Sequence, residues 1–342
     1  MHGSHPGCEI PADLPRARSA QWWGSNPAAN LRNRRLVLFI VAMLVALMAA
    51  TLLWLPFSTV DSNGNLGDAA ILLPSVFLLA LLEAIRWRLR KAPFRHREIW
   101  RDFARRIQVL VLALSSILFF STWLLLFSYM ATATAQPLMD MYLASADAAL
   151  GFNWTAYVGW LDSHYLIASI LSKAYFSLSF QLPLLPAMLA LIARPDRVAE
   201  MIAQFELAGC LTCLIMLVVP AAGAFDFYHP SPDLLSSFGA GASTRHLDQL
   251  HALRTLKPFL IEHPEGLVTF PSFHAALAVI FAYSVRGIRF VALPVYLLNA
   301  MLILATPAEG SHYLVDVLAG VLVAAAAIQT VRWIGGTRAI NR

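Results

Sequence analysis

Residues 107–130 read IQVLVLALSSILFFSTWLLLFSYM, a run without a single Asp, Glu, Lys or Arg. A helix needs roughly 17–25 apolar residues to cross the hydrocarbon of a bilayer, and only a helix or a closed barrel satisfies its own backbone there. The stretch therefore reads as a membrane span. Working outward, similar runs occur at about 36–56, 69–85, 165–193, 201–222, 271–285, 288–305 and 313–333, which makes eight spans. The sixth and seventh are short and separated only by Arg286-Gly287-Ile288-Arg289, so they read as a tight helical hairpin. Composition agrees, with 58% hydrophobic and 13% charged residues against roughly 25% charged in soluble domains. The expected fold class is all-α, a polytopic membrane helix bundle.

Charge then orients the bundle. Arg16, Arg18, Arg32, Arg34 and Arg35 precede the first span, and nine basic residues from Arg86 to Arg106 lie between the second and third. Arg194 and Arg197, Arg286 and Arg289, and the tail residues Arg332, Arg338 and Arg342 occupy alternate connections. Segments 57–68 and 131–164 hold no Lys or Arg, only Asp61, Asp68, Asp140, Asp147 and Asp162. The positive-inside rule places both termini in the cytoplasm. With no organellar signal, a bacterial inner (plasma) membrane is the expected location. The net charge of +5 is mostly this topology signal. The basic 86–106 stretch, with Trp87, Phe94, Trp100 and Phe103, fits anionic lipid headgroups better than nucleic acid.

The rest of the chain is plainer. Residues 1–35 read as a disordered cytoplasmic tail rather than a cleavable signal, and no internal repeat is visible. Segment 131–164 is expected to form short interfacial helices anchored by Trp154, Tyr157 and Trp160. Segment 223–270 is the longest loop, irregular and rich in histidine, and unlike the other outward loops it carries Arg245, Arg254 and Lys257. Cys210 and Cys213 fall inside a span and Cys8 in the tail, so neither a disulfide framework nor a metal cluster is indicated. Glu83 and Glu206 lie in apolar runs and are expected to pair within the bundle.

Two polar islands stand at the mouths of apolar runs: Thr269-Phe270-Pro271-Ser272-Phe273-His274 and Gly310-Ser311-His312-Tyr313-Leu314-Val315-Asp316. Ionisable groups at the membrane edge are costly, so they are functional candidates. His312 and Asp316 are i and i+4, one face of a helix, where a carboxylate can hold the imidazole in one tautomer. That suits a nucleophile or base; the plainer reading is a capped helix start. By the charge pattern His274, His312, Asp316 and the 223–270 loop share the outward side. His229, His246, His251 and His263 read as ordinary loop histidines, too irregularly spaced for zinc.

Pro271-Ser272-Phe273-His274, followed by His312-Tyr313-x-x-Asp316 opening the next-but-one helix, resembles the type 2 phosphatidic acid phosphatase superfamily of membrane lipid phosphatases. The closest pattern is similar to the branch containing inositol phosphorylceramide synthase. The resemblance covers about 107–333, which implies a six-helix lipid phosphatase or phosphotransferase core. Residues 36–106 would then be two extra helices with their basic loop, and 334–342 a cytoplasmic tail. It further implies His312 as nucleophile through a phosphohistidine, Asp316 as its orienting carboxylate, and His274 as acid and then base. Ser272 and the first amides of its helix would hold phosphate oxygens. No metal, cofactor or nucleic acid is implied; the partners would be a lipid phosphate and membrane lipids.

This chain departs from the family pattern. Thr306, after Ala305, stands where the third motif has Ser-Arg; Phe273 replaces a glycine; and the first motif is absent, with Ala187 where Lys should precede Arg194-Pro195. Phosphoryl transfer needs charge neutralisation, so the substrate-binding candidates are Arg254, then Lys173 and Arg245. Each has a plainer reading: a loop salt bridge for Arg254, solvation for Arg245 and Lys257, snorkelling for Lys173. Sphingomyelin-synthase-like relatives keep the His, His and Asp without that arginine placement, which leaves hydrolase and head-group transferase both open. Phosphatidate, a polyprenyl pyrophosphate or an inositol lipid would all be compatible substrates. A transporter or scramblase using the same groups is the alternative from another class.

Overall fold

A computed structural model describes residues 27–61, 68–91, 96–231 and 245–336. Its helices in chain order are α1 (Pro27–Trp54), α2 (Asp68–Lys91), α3 (Arg97–Thr132), α4 (Asp140–Ala149), α5 (Trp154–Asp162), α6 (Tyr165–Leu191), α7 (Pro195–Val218), α8 (Ala224–Tyr228), α9 (Arg245–Leu253), α10 (Phe273–Ser284), α11 (Ala292–Glu309) and α12 (Leu314–Ile334). Two short strands, β1 (Val60–Asp61) and β2 (Phe259–Leu260), pair in parallel. Each expected span coincides with a helix, and the chain is an all-α polytopic bundle. Among the described residues, α1 with the turn that follows it, α3, α6, α7, α11 and α12 are long and apolar enough to cross a membrane.

Three details differ from the sequence pattern. First, α1 begins at Pro27, so residues 27–35, expected as tail, are helical. Proline suits a first helical turn because its missing N–H would have no partner there anyway. Cys8, Arg16, Arg18, Phe94, Arg95, Arg338 and Arg342 lie outside the described residues. Second, the 223–270 loop is not wholly irregular: it contains α8, α9 and β2, and β2 ties it to the α1–α2 connection. Third, α4 and α5 are short helices as expected, but Trp154 is no interfacial anchor. It is 1% exposed, and its indole N–H donates to the Pro307 carbonyl at 2.9 Å. Tyr157 likewise donates to the Leu304 carbonyl at 2.6 Å. A buried indole must find an acceptor, and α11 supplies one.

The 12-residue α10 is too short to span hydrocarbon alone, at about 1.5 Å per residue. It is tolerated because protein, not lipid, surrounds it: Ala275, Ala276, Ala278, Ile280 and Phe281 have no exposed surface. It packs among α6, α7, α11 and α12. Polar pairs cross the interior, with Asn299 donating to Gln181 at 2.7 Å and Ser116 to Glu206 at 2.8 Å. Such interhelical bonds contribute about 0.6 kcal/mol each, so they set register more than they drive association.

The ends of the bundle are distinguished by charge. At one end Glu200 accepts from Arg286 at 2.7 and 2.9 Å, with Arg32 at 3.4 Å and Arg197 at 4.0 Å. Three basic connections thus gather on one buried carboxylate. The first residues of α10 and α12 lie at the opposite end.

Candidate active site

The chain leaves α11 through Gly310, turns at Ser311 and enters α12 at Tyr313. Ser311 adopts a left-handed conformation with φ of 57°, which a non-glycine residue holds only where neighbours fix it. Here its hydroxyl accepts from the Phe225 amide and its carbonyl from the Ala224 amide, both at 2.8 Å. The turn points the His312 ring inward, and the ring is 3% exposed. A methyl group at position 310 would stand 2.6 Å from His312 Cδ2, so Gly310 is required for close approach rather than for backbone freedom.

Asp316 does two jobs at once. Its Oδ2 accepts from the Tyr313 amide at 2.9 Å, closing the helix cap, and lies 3.2 Å from His312 Nδ1. The pair therefore caps the helix, and the same carboxylate oxygen is placed to orient the imidazole. In the tautomer that directs Nδ1–H at the carboxylate, Nε2 carries the lone pair. It faces the Ser272 hydroxyl at 3.3 Å, at the long end of hydrogen-bond distances. Ser272 also donates its amide to the Asp316 carbonyl at 3.0 Å, which joins the starts of α10 and α12.

Two further carboxylates hold this corner. Asp147 on α4 accepts from the Leu314 and Val315 amides at 2.8 and 2.9 Å. Burial pushes its pKa upward, and the two amides partly oppose this. Asp140 accepts from Tyr313 Oη at 3.0 Å and from the Gly223 and Ala222 amides at 2.8 and 3.0 Å. The first amides of α12 are thereby occupied and are not free for an anion. Sequence reasoning saw Asp140 and Asp147 only as topology markers; two acids in an apolar, Lys- and Arg-free segment were the available signal.

His274 sits in the first turn of α10 and stacks on Tyr175, ring centroids 4.7 Å apart and planes 16° from parallel. It lies within Coulombic reach of His312, and both line one cavity of about 460 Å³. The fold thus brings together His274, Ser272, His312 and Asp316. The three cation candidates lie elsewhere. Arg254 donates to the Gln136 carbonyl at 2.9 Å, Arg245 opens α9 and Lys173 lies on α6; none is among the described residues that line the cavity. His246, set aside from the sequence as a loop histidine, does line it, as do Tyr175, Glu265 and Glu309.

Burial depresses the His312 pKa to about 4, against the opposing effect of a hydrogen bond with the Thr269 backbone. Its folded value lies below the ordinary 6.5 or so. The ring is therefore neutral and nucleophilic at pH 7. Its contribution to stability is complete above about pH 6.5 and is lost as pH falls toward 4. An NMR titration of labelled histidine in the full-length protein is expected to find the His312 ring neutral down to about pH 5. A midpoint near 6.5 would mean that the ring is solvated.

A family model described as the PAP2 superfamily matches residues 141–330, more than half of the chain. The match runs from α4 into α12 and includes both polar islands. No curated protein and no solved structure matches the chain.

Proposed function

The chain belongs to the PAP2 superfamily, and from that premise we propose that it cleaves a lipid phosphate ester by covalent catalysis on His312. The observation that carries this reading is the Asp316–His312–Ser272 chain of contacts, with 3.2 and 3.3 Å links, whose His312 lines the same cavity as His274. His312 Nε2 attacks phosphorus, and the P–O bond to the leaving alcohol breaks while His274 supplies that oxygen's proton. Asp316 stabilises the charge that develops on the imidazole. Water or a second alcohol then attacks the phosphohistidine, gives its proton to His274, and releases Nε2. Splitting one displacement into two steps, each with a positioned acid or base, is the source of the rate. The Ser272 hydroxyl, which also caps α10 by accepting from the Ala275 amide at 3.4 Å, and the Phe273 and His274 amides would hold equatorial oxygens.

The basic end around Glu200 fits the cytoplasmic face, so the cavity would open toward the outer leaflet and the reaction would need no metal. The test is release of phosphate or phosphorylated headgroup from a panel of lipid phosphates by the detergent-purified protein in EDTA, with and without a diacylglycerol or ceramide acceptor. Rapid quenching in base is expected to trap an acid-labile phosphoramidate on His312. Release only when an acceptor is present would assign a transferase. Lipid movement across vesicles without any ester cleavage would replace this reading with a transporter or scramblase.

A further inference from the structure

A cavity built for a phosphate monoester dianion should be lined by cations. This one is not. Its described lining includes Glu265, Glu309 and three histidines, and no Lys or Arg. Glu309 is the sharper anomaly: it is the last residue of α11 and only 3% exposed. A carboxylate at a helix C-terminus opposes the helix dipole, and burial adds a desolvation cost. Glu309 lines the cavity together with Tyr175, the ring that stacks on His274. The lining also includes Phe176, and aromatic faces attract ammonium groups.

We propose that the substrate brings its own cation: the cavity takes a zwitterionic phosphodiester headgroup, phosphoethanolamine or phosphocholine, with the ammonium at Glu309 and Glu265 and the phosphorus at His312. A diester presents one negative charge instead of two, which lessens the need for arginine, and the ammonium offsets the two carboxylates. This rests on the phosphoryl-transfer reading above. In that chemistry the Nε2–P bond forms as the P–O bond to diacylglycerol breaks, and His274 protonates the glyceryl oxygen. The apolar product returns to the bilayer while the headgroup stays on the enzyme.

Binding separates this inference from catalysis. Full-length protein in detergent is titrated calorimetrically with glycerophosphoethanolamine, glycerophosphocholine, glycerol 3-phosphate and glycerophosphoinositol. At least one ammonium ligand is expected to bind roughly tenfold or more tightly than glycerol 3-phosphate, and E309Q to bring that ratio close to one while Glu309→Asp partly restores it. Tighter binding of glycerol 3-phosphate or of the inositol ligand would overturn the inference, as would an unchanged ratio in folded E309Q or no binding of any ligand. Should E309Q not fold, the wild-type ranking alone decides. An ammonium preference without His312-dependent turnover would sink the catalytic reading instead. Turnover of phosphatidate in preference to zwitterionic lipids would sink only this one.

Discussion

Replacing His312 by alanine is expected to lower turnover of the preferred lipid by at least about 10⁴-fold, because removing a covalent nucleophile removes the pathway that splits the displacement. The variant should still fold. Asp316 keeps its bond to the Tyr313 amide, Asp147 keeps the next two amides, and Asp140 keeps Tyr313 Oη and the chain before α8. The cap of α12 thus stands without the imidazole. The measurement is phosphate or headgroup release by His312→Ala protein that elutes and melts like the wild type. Activity within a factor of ten of the wild type would reject His312 as nucleophile. Asp316 variants are less informative, since the same oxygen that orients the ring also closes the helix.

Gly320→Ala should produce the second large effect, one turn along α12 from Asp316. A methyl group there would overlap the Ser272 carbonyl oxygen and stand 3.1 Å from Ala275 Cβ. The first of these is backbone, so the start of α10 must move as a unit. Overpacking of this kind costs about 1–3 kcal/mol. The larger consequence is geometric: Ser272 and His274 ride on α10 while His312 and Asp316 ride on α12, and a displacement of about 1 Å between reacting groups costs on the order of 100-fold. Turnover should fall by that order while lipid affinity changes little. Gly159→Ala on α5, whose new methyl would meet nothing within 4 Å, is the control expected to leave activity unchanged. Wild-type turnover in Gly320→Ala would show that the two helix starts adjust independently.

The spans were legible because hydrocarbon imposes the same demand at every position of a crossing helix, so an apolar run such as 107–130 needs no partner to be recognised. The exceptions are instructive. Nothing local distinguishes α10, which survives at 12 residues only because other helices enclose it. Trp154 looks like any interfacial tryptophan until α11 is placed beside it to receive its indole N–H. The cation candidates show the same limit: Arg245, Arg254 and Lys173 sit in plausible stretches of sequence, but the described cavity wall takes its side chains from other positions on α3, α6, α7, α9, α10, α11, the segment before α10 and the turn before α12. Glu309, three residues ahead of His312, was open to view and carried no signal until its burial was known.

The sequence by itself determined the membrane bundle, the alternation of basic and acidic connections, and the His312–Asp316 pair, because each follows from a local rule: hydrophobic length, charge per connection, and i to i+4 spacing on one helix. Only the tertiary structure decided that Ser272 meets His312, that Asp140 and Asp147 hold the start of α12, that Gly320 sets the distance between α10 and α12, and that among the described residues Glu265 and Glu309 rather than arginines line the cavity with the histidines. Those facts depend on which side chains, up to 173 residues apart in the chain, meet in one corner of the bundle, and no periodicity along one segment encodes that.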